Sequence, residues 1–123
     1  MTVAISVLLV DDDESLASAT CKLLGLLGFA VTWKADRAQA VQAICAPHSF
    51  DVMLLDLRLG RERGERVITE ARSRGCLIPP VVILSAQPDA ELREAAHLSK
   101  AKGVLRKPCT ANDMRLAIEH ALV

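Results

Sequence analysis

Aromatic side chains are scarce: Phe29, Trp33 and Phe50 stand alone in 123 residues, and tyrosine is absent. The interior must therefore be built from Leu, Val, Ile and Ala. An excess of charge is lacking too, since 15 Lys and Arg balance 15 Asp and Glu. That excludes the basic surplus of a duplex-binding domain, and no direct nucleic-acid partner is expected. No apolar run approaches the ~20 residues of a membrane span, and the N-terminus shows no secretory pattern. No membrane partner is expected, and the location expected is cytoplasmic. Cys21, Cys45, Cys76 and Cys109 form no C-x-x-C pair. They read as reduced cytosolic thiols rather than zinc ligands or disulfides. His48, His97 and His120 lack matching ligands or triad partners, and no chemistry is assigned to them.

What is present is a chain 51% apolar with a mean hydropathy of +0.28. This length and composition suit one globular domain, residues 1–123, with its own core. The stretch Asp51-Val52-Met53-Leu54-Leu55-Asp56-Leu57-Arg58-Leu59-Gly60 organises the rest. A short apolar run ending on a carboxylate reads as a strand buried on both faces, as at the centre of a parallel sheet. Residues 3–10 read as a first strand, followed at once by Asp11-Asp12-Asp13-Glu14. Leu16, Thr20, Leu23, Leu24 and Leu27 form a helical stripe stopped by Gly28. Residues 29–34 alternate as a half-exposed edge strand. Asp36 caps a second helix striped with Ala40, Val41, Ile44 and Cys45, and closed by Pro47.

After the central strand, residues 62–74 read as a third helix turned inward on Val67, Ile68 and Ala71, ended by Gly75. Residues 81–85 form another buried strand. Pro88-Asp89 opens a fourth helix with Leu92, Ala95 and Ala96, and residues 103–106 make a fifth strand. Thr110 and Asp113 resemble a capping box before a last helix with Met114, Ala117, Ile118 and Ala121. Strands alternating with helices predict an α/β fold: a doubly wound, five-stranded parallel sheet flanked by five helices. An outlying second strand gives the flavodoxin-like order 2-1-3-4-5.

In that order the ends of strands one, three, four and five open on one edge, gathering Asp11, Asp12, Asp56, Ser85 and Lys107. Each residue has a plainer role open to it. Asp13 and Glu14 suit the cap and first turn of a helix, Ser85 could satisfy a backbone group, and Lys107 could be solvated. Their convergence is what argues for chemistry. Crowded carboxylates repel by ~1–4 kcal/mol per pair at ~4 Å, and a divalent cation relieves that. All-oxygen ligation suits Mg²⁺, which shares itself with a phosphate. Asp56 is then the carboxylate placed to attack phosphorus, with Lys107 and the Ser85 hydroxyl on the phosphoryl oxygens.

Val7-Leu8-Leu9-Val10-Asp11-Asp12, residues 51–59 with Gly64, residues 81–86, and Leu105-Arg106-Lys107-Pro108 resemble the receiver domain of bacterial two-component response regulators. The resemblance spans essentially the whole chain. It implies that Asp56 accepts a phosphoryl group from a sensor histidine kinase or a histidine phosphotransfer protein. It implies Mg²⁺ ligation by Asp12, Asp56 and the backbone carbonyl of Arg58, with Asp11 acting mainly through water. A cis Lys107–Pro108 bond is implied as well. It further implies a signalling module rather than an enzyme, its chemistry limited to its own phosphorylation and dephosphorylation. The surface of the fourth helix, fifth strand and last helix, with Arg93, Glu94, His97, Lys102, Arg115, Glu119 and His120, would meet a downstream partner or a second copy.

Three departures stand out. Val104 replaces the family's usual aromatic switch residue, so the switch involving Ser85 must be read differently. Gly60 replaces the usual proline and suggests a more flexible loop. Arg58, Arg61, Arg63 and Arg66 make that loop basic. Pairs Glu62–Arg66 and Glu70–Arg74 explain most of this, while Arg58 could lie over the cleft and modulate water access. A haloacid-dehalogenase-like phosphatase using Asp11 is the competing enzyme reading, but it leaves Asp56 without a role. A pseudo-receiver that is never phosphorylated is the competing interaction-module reading. An FMN-binding flavodoxin relative fits least, because the first turn is acidic where a phosphate loop needs donors.

Overall fold

The computed structural model describes residues 3–47, 49–86 and 89–123, without the side chains of residues 89–92 and 98. His48, the helix start at Pro88, and Leu92 in the fourth stripe lie outside the described residues. The strands of the main sheet are β1 (Ser6–Val10), β2 (Ala30–Lys34), β3 (Val52–Asp56), β6 (Val81–Ser85) and β7 (Gly103–Arg106). All pair in parallel, in the order β2-β1-β3-β6-β7. Two-residue strands β4 (Arg58–Leu59) and β5 (Glu62–Arg63) form a separate antiparallel hairpin. Counting only the main strands, the order is the expected 2-1-3-4-5.

The pleat sends alternate residues to opposite faces, and each face has its own helices. Leu8, Val10, Met53, Leu55, Val81 and Ile83 pack against α2 (Arg37–Ile44), α3 (Glu65–Ser73) and α4 (Asp89–Ser99). Val7, Leu9, Val52, Leu54, Val82 and Leu84 pack against α1 (Glu14–Leu26) and α5 (Ala111–Ala121). A strand covered on both sides carries no polar side chain at modest cost, which explains why β3 is apolar until Asp56. Local signals agree with these boundaries. Asp13 and Asp36 cap α1 and α2 through their side chains, Thr110 and Asp113 make a reciprocal capping box on α5, and Gly28 and Gly75 adopt positive φ.

Four readings are corrected. The first strand starts at Ser6, and Val3 is exposed. In α1 the buried side chains are Ala17, Thr20 and Leu24, whereas Leu16, Leu23 and Leu27 face outward. Helical spacing allowed both phases, and the small Ala17 lets the helix lie close to the sheet. The third helix begins at Glu65, because residues 58–63 are used by the hairpin. Finally, Cys45 and Cys76, expected as reduced thiols, are joined by a disulfide with a Cα–Cα distance of 5.4 Å. Cys45 caps the end of α2 and Cys76 lies just beyond α3. Packing of these two helices brings together residues 31 apart in sequence, so no spacing motif announces the pair. Cys21 and Cys109 are free. No helix among the described residues is long and apolar enough to cross a membrane.

Candidate functional site

Strand ends deliver the site. Asp11 follows β1 and extends its pairing with β2, its N–H donating to the Lys34 carbonyl at 3.2 Å. Its carboxylate accepts from the Asp13 N–H at 2.9 Å and from Lys107 Nζ at 3.1 Å, and the residue is 2% exposed. Its own carbonyl accepts from the indole Nε1–H of Trp33 at 2.7 Å. Asp12 is exposed, and its Oδ2 accepts from the Gly60 N–H at 2.8 Å. Asp56, 8% exposed, accepts from the Arg58 N–H at 3.0 Å on Oδ1 and from Lys107 Nζ at 2.7 Å on Oδ2. Lys107 follows β7, its N–H donating to the Ser85 carbonyl at 2.9 Å, and Lys107–Pro108 is cis.

The expected residues therefore converge. Asp11, Asp12, Asp56, Arg58 and Lys107 line one opening together with Asp13, Gly60 and Ala86. Ser85 is buried at the end of β6, and its neighbour Ala86 is the residue that lines the opening. Val104 is 40% exposed on β7, in register with Ile83. Of the two helix pairs expected, Glu70–Arg74 is present at 2.9 Å. Glu62 instead joins Arg37 at 2.6 Å, and Arg37 also pairs with Glu70.

Charge in the opening is unbalanced. One oxygen from each of Asp11, Asp12 and Asp56 falls within 4.8 Å of the others. Three carboxylates against one ammonium leave two negative charges in excess. Burial pushes the Asp56 carboxyl above its ordinary value, and the Arg58 N–H and the Lys107 ammonium pull it only part-way back. Burial lowers the Lys107 pKa, but Asp56 and then Asp11 outweigh it, so the ammonium is held charged above the ordinary lysine value. Both partners moving upward looks inconsistent for an ion pair. It follows from burial, the largest cause at Asp56, outweighing its pairing with Lys107, while Lys107 gains from both carboxylates. An all-oxygen donor set with surplus negative charge fits a hard divalent cation such as Mg²⁺.

The family model of the response regulator receiver domain matches residues 7–119. This chain belongs to that family. RssB, the swarming motility regulation protein of Serratia marcescens, is 36% identical to this receiver domain over 103 residues, covering 84% of this chain and 46% of RssB. The CheY-like receiver domain protein of Methanospirillum hungatei JF-1 superposes with a TM-score of 0.84 at 20% identity, covering 98% of this chain and 94% of that one. A Burkholderia pseudomallei response regulator, solved with a phosphorylated aspartic acid, calcium ion and citrate, gives 0.80 at 23% identity, covering 92% and 65%. At these identities the two structures speak for the fold alone. This receiver domain spans only 24% to 50% of the length of the first curated relatives.

The two-component signalling reading stands on the family match, which does not favour the phosphatase alternative. Three residues around the site were not legible. The inward phase of Trp33 could be read from β2 alternation, but not the backbone oxygen its ring reaches. Arg37 reads as an ordinary first-turn residue, yet it ties α2 to the hairpin and to α3. Gly60 was expected to loosen its loop. At φ +61°, with its N–H on Asp12, it is held, in a conformation and with a donor that proline lacks.

Proposed function

We propose that Asp56 is the phosphoacceptor of this receiver domain, taking a phosphoryl group from a phosphohistidine on a sensor histidine kinase or histidine phosphotransfer protein. In the transfer the P–N bond breaks as a bond forms from an Asp56 carboxylate oxygen to phosphorus. The leaving imidazole keeps the electron pair and regains its proton from solvent. The observation that carries this is the setting of Asp56: a buried carboxylate bonded to Lys107 beside Asp11 and Asp12. Lys107 holds the equatorial phosphoryl oxygens, and the Ser85 hydroxyl turns to bond one of them, so the work is orientation and charge stabilisation. Asp12, Asp56 and the Arg58 carbonyl would hold Mg²⁺ directly, and Asp11 through water. The cation supplies neutralisation of phosphoryl charge. The Burkholderia protein of the same fold was solved with a phosphorylated aspartic acid and a calcium ion.

Residues 1–123 act as one receiver unit in the cytoplasm. The kinase or phosphotransfer protein docks beside the opening, where Leu16 leaves exposed apolar surface at the start of α1, near Asp11 and Lys107. Phosphorylation adds ~−1.5 to −2 charges and favours one of two pre-existing conformations. The surface of α4, β7 and α5 passes that shift to a downstream partner or a second copy. Val104 has no ring to swing, so Ser85 carries the switch there without an aromatic partner. Arg58, two residues past the acceptor, modulates water access to the acyl-phosphate.

The reading is tested with acetyl phosphate and Mg²⁺, followed by intact-mass measurement. Wild type should gain one phosphoryl group that Asp56→Asn does not. An adduct that survives Asp56→Asn but disappears with Asp11→Asn would transfer the role to the phosphatase alternative.

A further inference from the structure

We propose that Trp33 is a positioning residue for the acidic pair, acting through the main chain of Asp11; this rests on the metal reading above. The β1–β2 register ends at Val10 opposite Lys34, and the carboxylates lie on the loop just beyond it. A loop peptide is free to rotate unless something holds its polar groups. Here β2 holds both polar groups of Asp11, from two adjacent residues. The Lys34 carbonyl takes the Asp11 N–H at 3.2 Å, and the Trp33 indole N–H donates to the Asp11 carbonyl at 2.7 Å.

That carbonyl belongs to the peptide joining Asp11 to Asp12. Fixing it fixes ψ of Asp11, and with it the direction in which the next Cα–Cβ bond leaves. Asp12 is the exposed member of the cluster, so its carboxylate depends most on the backbone beneath it. The indole is half-buried and packed against the apolar cluster on the α1 side of the sheet. Trp33 therefore transmits the rigidity of the sheet to two side chains it does not touch. Loss of a group that orients a metal ligand weakens metal affinity even though the ligand itself remains.

A purely structural role would be to fill the face of the edge strand, and single-atom replacement separates the two. Trp33 is the chain's one tryptophan, so 3-benzothienylalanine incorporated at every Trp codon replaces this N–H alone by sulfur. Trp33→Phe is the coarser variant, and 7-azatryptophan, which keeps the donor, is the rescue. Mg²⁺ binding is read by titration calorimetry, and melting temperature is read in EDTA. The benzothienyl protein should melt close to wild type and bind Mg²⁺ roughly three- to tenfold more weakly, with 7-azatryptophan restoring the affinity. Unchanged Mg²⁺ affinity in the benzothienyl protein would overturn the assignment, whatever happens to its melting temperature. A wild type that binds no Mg²⁺ would overturn the metal reading and this assignment with it.

Discussion

A Cβ built on Gly64 would overlap the backbone carbonyl oxygen of Asp56 and lie 3.1 Å from the Leu57 Cα. The close approach lets the Gly64 N–H reach the Leu57 carbonyl at 2.7 Å and seats the start of α3 against Asp56. Gly64→Ala is expected to lower stability by about 1–3 kcal/mol, read from the urea midpoint; an unchanged midpoint would show that the backbone gives way freely. Asp56 allows a prediction of opposite sign. Its folded-state pKa is raised above the ordinary 3.8, with burial the largest cause. The folded state therefore holds this proton more tightly than the unfolded chain does. Between 3.8 and the raised value, stability from this group falls as pH rises. Asp56→Asn removes that loss. In EDTA the variant should unfold at higher urea than wild type at pH 7, and the gain should shrink as pH falls toward 3.8. A variant less stable than wild type at neutral pH would contradict the burial argument.

At the scale of the element, the hairpin of β4 and β5 is bound from two sides. Arg37 at the start of α2 pairs with Glu62 and Glu70, and Gly60 bonds to Asp12. Arg37→Gln should speed amide exchange at residues 58–63 while changing the global unfolding free energy only modestly, since these ion pairs are half-buried and still in reach of solvent. Exchange rates equal to wild type would place the hold elsewhere. Elements of this kind separate what the sequence discloses from what it hides. The buried strands, the caps at Asp13, Asp36 and Thr110, and the glycines ending α1 and α3 rest on local chemistry, and each could be read from neighbouring residues. The convergence of Asp11, Asp12, Asp56 and Lys107 followed from strand order, because strand ends were already marked. The hairpin, the Arg37 bridge and the phase of α1 depend on which side chain packs closest. That is decided between elements, and helical spacing in α1 admits two answers.

Across the whole molecule, function and reinforcement occupy opposite edges of the sheet. The site sits where the strands end, and the Cys45–Cys76 bond lies where α2 and α3 return. The bond joins residues 31 apart in sequence, closing a loop long enough to stabilise the fold by about 4 kcal/mol. Oxidised protein should therefore lose about that much stability on reduction with dithiothreitol, with Mg²⁺ affinity unaltered. Failure of the two thiols to oxidise under mild disulfide-exchange conditions would contradict the pairing. The proposal that Asp56, among the gathered carboxylates, takes phosphorus is tested most directly by trapping the adduct. Borohydride reduces an aspartyl phosphate to homoserine, and peptide mass mapping then locates it after treatment with acetyl phosphate and Mg²⁺. Homoserine at position 56 is the predicted result; homoserine at position 11, or at no position, would contradict the account.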